Sequence, residues 1–207
     1  MISLEEAWGF WVQGEWSMLG LAGICFIMFI LAVDVFLGLK EKRFKMPESK
    51  WGPWIRDPEL GQGYLGDLIR FVMQSKNIAE IEKHFDEVRS TELRPFIGQL
   101  RFMKTCIAAA PLVGLLGTVI GMLVTFKSIS SGSGGDQTME AMANGISLAL
   151  ITTQAGLTVA LPGYFVHYYL RRNVQKYEGF LAHLETQCTQ FFYKESLQDK
   201  PTELTVS

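Results

Sequence analysis

Three long apolar runs set the pattern of the chain, and polar segments separate them. They predict transmembrane helices at residues 17–39, 105–127 and 139–170. At about 1.5 Å of rise per residue, each run can cross a hydrocarbon core of about 30 Å, and the third can also tilt or project from it. We therefore expect an all-α, polytopic membrane protein with three spans.

The distribution of basic residues predicts the orientation of these spans. The chain has 19 Lys and Arg residues, and Lys127 is the only one outside the segments 40–104 and 171–207. Because basic loops stay on the cytoplasmic side of a membrane, we expect the N-terminus outside and the C-terminus in the cytoplasm. The second and third helices are then expected to extend into the cytoplasm.

The segments on the outer side have patterns of their own. Residues 1–16 carry Trp8, Trp11 and Trp16 at helical spacing, which predicts a periplasmic amphipathic helix in the membrane interface. Residues 128–138 are rich in Ser and Gly and predict a periplasmic turn.

Residues 40–104 predict a cytoplasmic helical hairpin. One amphipathic helix is expected at about 64–74, and a second begins after Asn77, an N-cap residue with Glu80 three positions later. Pro53, Pro58 and their neighbouring glycines predict a non-helical piece over 51–63.

A heptad seam follows the third span. It predicts a cytoplasmic helix over 171–197 that packs against another helix, and we interpret that packing as assembly. The tail, residues 198–207, is expected to be disordered. The seam consists of Leu170, Val174, Tyr177, Leu181, Leu184, Cys188 and Phe191.

Composition and charge argue against several classes of function. The net charge is −2, which indicates no basic surface for nucleic acid. The three cysteines and three histidines show neither metal-ligand nor disulfide spacing. Because no nucleophile–base constellation or phosphate-binding loop is present either, we expect no cofactor and no enzymatic activity.

Small residues recur at three- and four-residue spacing on one face of the second and third spans. Such faces let helices approach closely inside a membrane, and simple bundle packing is their plainest interpretation. Pro111 and Pro162 can kink their helices and free carbonyl oxygens, which together with threonine hydroxyls can coordinate or relay a small cation. The small residues are Gly114, Gly117, Gly121, Gly145, Ala149, Gly156 and Ala160, and the hydroxyl-bearing residues are Thr118 and Thr153, with Thr152 and Thr158 nearby.

Asp34 is the one obvious ionisable side chain in the membrane part of the predicted spans. It is about 9 Å along the helix from Lys40, near the cytoplasmic interface. A salt bridge to Lys40 or to a neighbouring subunit, or hydration, is favoured there over a proton relay. Since the spans have no midplane carboxylate, we expect a titrating group for ion transport to belong to another chain.

Taken together, three stretches resemble the ExbB/TolQ/MotA family of ion-driven motor subunits, in its ExbB/TolQ branch. They are APLVGLLGTVIG at 110–121, SGSG at 131–134 and GISLALITTQAGLTVALPG at 145–163. The resemblance implies a homopentamer in the bacterial inner membrane whose second and third spans line a pore. It also implies a partner, an ExbD/TolR-like single-span subunit with a membrane aspartate, and a TonB-like protein beyond it.

Within this resemblance Thr118 and Thr153 match the threonines that line the path of the partner's aspartate. Leu148 stands where the ExbB and TolQ pattern has a glutamate, which argues against a proton acceptor on this chain. Thr152 and Thr158 add polar groups nearby, so the pattern leaves open whether protons or sodium ions flow.

The expected function is a channel and motor subunit that converts ion-motive force into work on the cell envelope, as in TonB- or Tol-like energised transport. The alternative is a passive membrane scaffold whose small faces only assemble helices.

Overall fold

The computed structural model describes residues 15–42, 46–75, 77–130 and 136–198. The predicted interfacial helix over 1–16 and the tail over 198–207 lie largely outside these ranges. The predicted turn over 128–138 is shorter than expected, because residues 128–130 and 136–138 belong to helices, and residues 131–135, which contain the SGSG stretch at 131–134, lie outside the described ranges.

Helices account for nearly all of the described residues, and no strand occurs among them. Three helices are long and apolar enough to cross a membrane, over Ser17–Glu41, Ile78–Lys127 and Met139–Glu195. The predictions of an all-α fold and of three spans are confirmed. The α-helices are α1 Glu15–Glu41, α2 Glu48–Arg56, α3 Gly63–Met73, α4 Ile78–Val88, α5 Arg94–Ser130 and α6 Asp136–Gln198, with a 3-10 turn at Pro58–Leu60 and a π-helical turn at Arg89–Leu93.

The chain divides into two compact units. The first contains residues 1–33 and 100–169, and the second contains residues 34–99 and 170–207. In the first unit Leu21, Ala110 and Ala160 form a small buried cluster at the meeting of α1, α5 and α6, with Ile24 and Val159 packed against it. The first unit therefore holds most of the apolar part of each span.

The second unit has a larger core built on the heptad seam. Six of its seven residues, all except Phe191, are buried. The Trp51 ring of α2 meets Phe180 and His183 of α6 edge-on, at centroid distances of 5.9 and 5.8 Å. Tyr177 of the seam donates a hydrogen bond to Glu92 at 3.0 Å, and its hydroxyl oxygen lies 3.2 Å from that of Tyr64 on the helix Gly63–Met73. The seam therefore packs inside the same chain, which removes it as an argument for assembly.

The prediction of a non-helical piece over 51–63 is wrong in its first half, because α2 runs through Pro53. Proline removes one backbone donor and disfavours a helix interior. Trp51 and Ile55 compensate, since both side chains are buried, with exposed fractions of 1% and 6%. Burial of side chains of this size is worth about 1.5 to 3 kcal/mol each, which exceeds the local helix preference.

The two predicted amphipathic helices are confirmed as α3 and α4. The Asn77 side chain caps α4 by accepting a hydrogen bond from the Glu80 backbone N–H at 2.9 Å. Leu65, Leu68 and Ile69 of α3 are buried as their spacing predicts.

The π-helical turn joins α4 to α5 and changes the helical phase by one residue. Buried positions run through Ile81, Phe85 and Val88 in α4, and continue at Leu93 rather than at 92. Pro95 explains the wide turn, because it has no N–H to donate four residues back and its ring would strike that carbonyl in a regular helix. Glu92 is thereby left on the flank of the packed face.

Candidate functional site

The small faces of the second and third spans pack against each other along α5 and α6. A Cβ added at Gly114 would lie 2.8 Å from the Thr152 carbonyl oxygen and 3.2 Å from the Thr153 Cα. A Cβ added at Gly156 would lie 2.8 Å from the Ala110 carbonyl oxygen. Since both contacts are to backbone, the two helices are as close here as glycine allows.

The same contact continues about two helical turns farther along α5, to Gly121. At Gly121 a Cβ would meet the Gly145 carbonyl oxygen at 2.8 Å and the Ala149 Cβ at 3.1 Å. At Gly145 it would strike the side chain of Thr125, which is buried and donates a hydrogen bond to the Gly121 carbonyl at 3.0 Å. The predicted glycines are therefore brought together in one helix–helix interface within the chain.

Thr152 fills the notch over Gly117. A Cβ at Gly117 would lie 2.5, 2.6 and 2.9 Å from Oγ1, Cβ and Cγ2 of Thr152. Thr152 is only 2% exposed, and its hydroxyl donates to the Ala149 carbonyl at 2.9 Å. Because this hydroxyl is enclosed between the two helices, we leave Thr152 out of the proposed pore-lining residues.

The other threonines donate their hydroxyl hydrogen to a carbonyl one turn back in the same helix. Thr118 donates to the Leu115 carbonyl at 2.6 Å, Thr153 to Ala149 at 3.2 Å and Thr158 to Gln154 at 2.8 Å. A hydroxyl bonded in this way still presents its oxygen as an acceptor. Such an oxygen can accept from a protonated carboxyl group or coordinate a hard cation.

Helix α1 covers one edge of the α5–α6 pair. A Cβ at Gly20 would lie 3.8 Å from Val113 Cγ1, and Val159 packs on the cluster that contains Leu21. Thr118 is five residues from Val113, which is about 140° around α5. Thr118, which is half-buried as a residue, therefore faces away from α1.

Thr153 lies on the same free edge. It is two residues before Ala155, which packs toward α1, and a separation of two residues is about 160° by the shorter way around a helix. Thr153 is half-buried, and its Cα approaches Gly114, one helical turn from Thr118. The edge of the pair that α1 leaves open thus carries both matched threonines.

Thr158 occupies the opposite side. With Gln154 it lines a groove of about 800 Å³ between α1 and α6. The remaining lining is apolar, and its residues are Met18, Leu21, Ala22, Cys25, Phe26, Phe29, Ile151, Ala155 and Val159. Thr153 and Thr158 are therefore not equivalent, although both had been candidates on the same stretch.

The two prolines differ in their surroundings. Helix α5 continues through Pro111, which lies at the α5–α6 contact, with its Cα 3.4 Å from a Cβ placed on Gly156. Helix α6 continues through Pro162, which is exposed. Whether either proline kinks its helix in the membrane stays a prediction.

Asp34 accepts a hydrogen bond from Nε2 of Gln99, on α5. A pair between Asp34 and Lys40 is not among the ion pairs of the described residues. The side chain that reaches Asp34 therefore comes from α5, 65 residues away, and no local pattern indicated it.

A carboxylate cluster in the second unit was also missed. Glu92 accepts hydrogen bonds from Tyr64 and from Tyr177, the latter at 3.0 Å, and its carboxylate lies 2.7 Å from Lys42 Nζ. Burial raises the pKa of both tyrosines, so they act as neutral donors. The members are 28 to 85 residues from Glu92, and only the position of Tyr177 in the heptad seam marked any of them.

Comparison with known proteins identifies the family. Residues 62–181, more than half of the chain, match the MotA/TolQ/ExbB proton channel family. The chain belongs to this family. The match runs from α3 into the second half of α6 and includes both glycine-faced spans of this multi-pass membrane protein.

Its relatives support the ExbB/TolQ branch. The biopolymer transport protein ExbB of Aquifex aeolicus is 37% identical over 127 residues, covering 56% of this chain and 83% of the relative. An "ExbB homolog" of Methanothermobacter thermautotrophicus is 40% identical over 108 residues, covering 50% of this chain and 37% of the relative. The Tol-Pal system protein TolQ of Haemophilus influenzae is 25% identical over 134 residues, covering 65% of this chain and 54% of the relative.

The chain matches only part of several relatives. In three of them the matched region covers 37%, 24% and 65% of the relative's own length.

Proposed function

We propose that this protein is the channel subunit of an ion-driven motor in the inner membrane of a bacterium. Five copies surround an ExbD/TolR-like single-span subunit, and the aspartate of that subunit carries the proton. The complex converts the ion gradient into work on the cell envelope, with a TonB-like or Tol-like protein receiving it. The C-terminus lies in the cytoplasm, as the distribution of basic residues favours.

One observation carries the proposal: the edge of the α5–α6 pair that α1 leaves open presents Thr118 and Thr153 together. Both hydroxyls are bonded to their own helix, which fixes the direction of the acceptor oxygen. A row of acceptors suits a protonated carboxyl group that visits and leaves, because each transient hydrogen bond is modest in strength. Membership of the MotA/TolQ/ExbB proton channel family supports an ion-conducting role for this edge.

The nature of position 148 is consistent with a carboxylate supplied from outside the chain. Leu148 is half-buried on α6 and offers no titrating group. Neither α5 nor the part of α6 over residues 141–177 carries an acidic side chain. A proton that crosses this region therefore needs an acceptor from a partner.

The test replaces threonine by valine, which removes the hydroxyl and preserves the shape of the side chain. We expect Thr118→Val and Thr153→Val each to slow ion-driven function about five- to thirty-fold, the equivalent of about 1 to 2 kcal/mol for one lost hydrogen bond. Thr158→Val is the matched control, because Thr158 has the same backbone hydrogen bond but lies in the α1 groove. Equal activity of all three variants and wild type would remove the pore-lining role.

A passive scaffold is the second candidate. The glycines of α5 and α6 pack against each other inside the chain, and a purely structural role is enough to explain that packing. A scaffold would assemble normally without an ion gradient. It would also tolerate Thr118→Val and Thr153→Val in every functional assay.

A further inference from the structure

The groove between α1 and α6 has the length of one leaflet of a bilayer. On α1 its lining runs from Met18 to Phe29, which is about 16 Å of helix. Half of a hydrocarbon core of about 30 Å is about 15 Å. Glu15, the last charged residue before the apolar run, lies one helical turn before Met18. The groove therefore begins near the membrane surface and ends near the middle of the bilayer.

Contact between α1 and α6 closes the groove at its deep end. The Met28 side chain, 5% exposed, fills the notch over Gly163, where an added Cβ would lie 2.5 Å from Met28 Cε. Leu21 and Ala160 share the buried cluster described above, so residue numbers rise in the same direction along both helices. Gln154 precedes Ala160 by about 9 Å of helix. It therefore lies at the open end of the groove, near the membrane surface.

The side-chain amide of Gln154 has no partner among the described residues. Its side chain is exposed and forms no hydrogen bond within the described part of the chain. The Thr158 hydroxyl in the same groove differs, because it donates to the Gln154 backbone carbonyl at 2.8 Å. A carboxamide in apolar surroundings is unfavourable unless its N–H groups reach an acceptor. Near the surface of a bilayer, the ester carbonyls of phospholipids are such acceptors, since they lie where the headgroup meets the acyl chains.

The shape of the groove favours a lipid over a transmembrane helix. A spanning helix is about 10 to 12 Å wide and must continue through both leaflets, whereas α1 and α6 meet at Met28 and Gly163. An acyl chain ends at the middle of the bilayer, as the groove does. Because lipid tails are as apolar as the lining, close packing and a hydrogen bond decide whether one lipid is retained.

We propose that this groove binds a phospholipid. One acyl chain lies between α1 and α6 as far as Met28, and the ester carbonyl of that chain accepts a hydrogen bond from the amide of Gln154. The site depends on the three spans and on no step of ion transport. It lies on the side of the α5–α6 pair opposite to Thr118 and Thr153.

The first test is a competition between ester-linked and ether-linked phosphatidylcholine of equal chain length. The full-length protein, purified in detergent as the assembly that it forms, receives both lipids in equal amount, and native mass spectrometry distinguishes the bound lipids by mass. The ether lipid has no ester carbonyl, so wild type should prefer the ester lipid about three- to tenfold, as expected for one hydrogen bond. Gln154→Leu, which removes the amide, should bind the two lipids equally. The same preference in wild type and in Gln154→Leu would overturn the proposal.

The second test fills the groove. Ala22 is half-buried in the lining, so the ring of Ala22→Phe occupies the space of the acyl chain, and retention of ester-linked phosphatidylcholine should be lost. The matched control is Ala108→Phe, because Ala108 is exposed on α5 and does not line the groove; it should retain lipid like wild type. Retention at the wild-type level in Ala22→Phe would overturn the site. Neither test uses a partner or a gradient, so its failure leaves the proposed function untouched.

Discussion

The contact between Gly117 and Thr152 gives the sharpest stability prediction, for Gly117→Ala. The new methyl group would lie 2.5 to 2.9 Å from three side-chain atoms of Thr152, whereas ordinary contacts between carbon atoms begin near about 3.5 Å. Thr152 cannot turn away, because its branched side chain is buried and hydrogen-bonded to Ala149. The helices must therefore separate by roughly 0.5 to 1 Å, and overpacking of this kind costs about 1 to 3 kcal/mol.

The matched control is Gly98→Ala in the same helix. An added Cβ at Gly98 meets nothing within 4 Å, so this variant gains the helix preference of Ala over Gly, about 0.5 to 1 kcal/mol. The same preference applies at Gly117 and cancels in the comparison. We therefore expect Gly117→Ala to be less stable than Gly98→Ala by about 1 to 3 kcal/mol.

The assay is reversible unfolding of the detergent-solubilised chain with increasing SDS, followed by far-UV circular dichroism. A double-mutant cycle with Thr152→Gly identifies the cause, because removal of the opposing side chain should make Gly117→Ala nearly neutral. Equal unfolding free energies for Gly117→Ala and Gly98→Ala would refute the inferred close contact of α5 with α6.

The remaining predictions concern the second unit. Glu92→Gln should lower the unfolding free energy by about 1 to 3 kcal/mol, because Lys42 loses its charged partner, whereas exposed Glu82→Gln should change it little in the same denaturation assay. Burial raises the pKa of Tyr177, so the free energy of unfolding should fall as pH rises past about 10, where the tyrosine of the unfolded chain ionises first. Tyr177→Phe should reduce that loss in thermal melts at rising pH. An unchanged pH profile in this variant would contradict the burial of the Tyr177 hydroxyl. Burial raises the pKa of the Cys188 thiol to about 12, so iodoacetamide should modify it only at the rate of unfolding, and rapid labelling under native conditions would contradict its burial.

Local patterns along the chain were sufficient for the spans and for the α3 and α4 helices. Three runs of apolar residues, the Asn77 cap and the heptad spacing, whose last buried member is Cys188, each depend on residues within a few turns. Backbone hydrogen bonding and side-chain periodicity act over that range, so the sequence is enough to predict their effects.

Contacts between distant elements could not be predicted in this way. Pro53 argued for a turn, and only the burial of Trp51 in the second unit explains why α2 forms. The small-residue faces indicated that α5 and α6 approach closely, but they could not show that Thr152 points into the interface while Thr153 stays on its edge. Adjacent threonines are about 100° apart on a helix, and the close approach of α5 over Thr152 decides which of the two is accessible.

Proton flux into proteoliposomes measures the central claim most directly. The chain is reconstituted with its copurified ExbD/TolR-like subunit, and an imposed pH gradient drives uptake that an internal dye reports. We predict that Thr118→Val/Thr153→Val lowers the flux at least tenfold while Thr158→Val conducts like wild type. Flux that is equal in wild type and in the Thr118→Val/Thr153→Val variant would contradict the account.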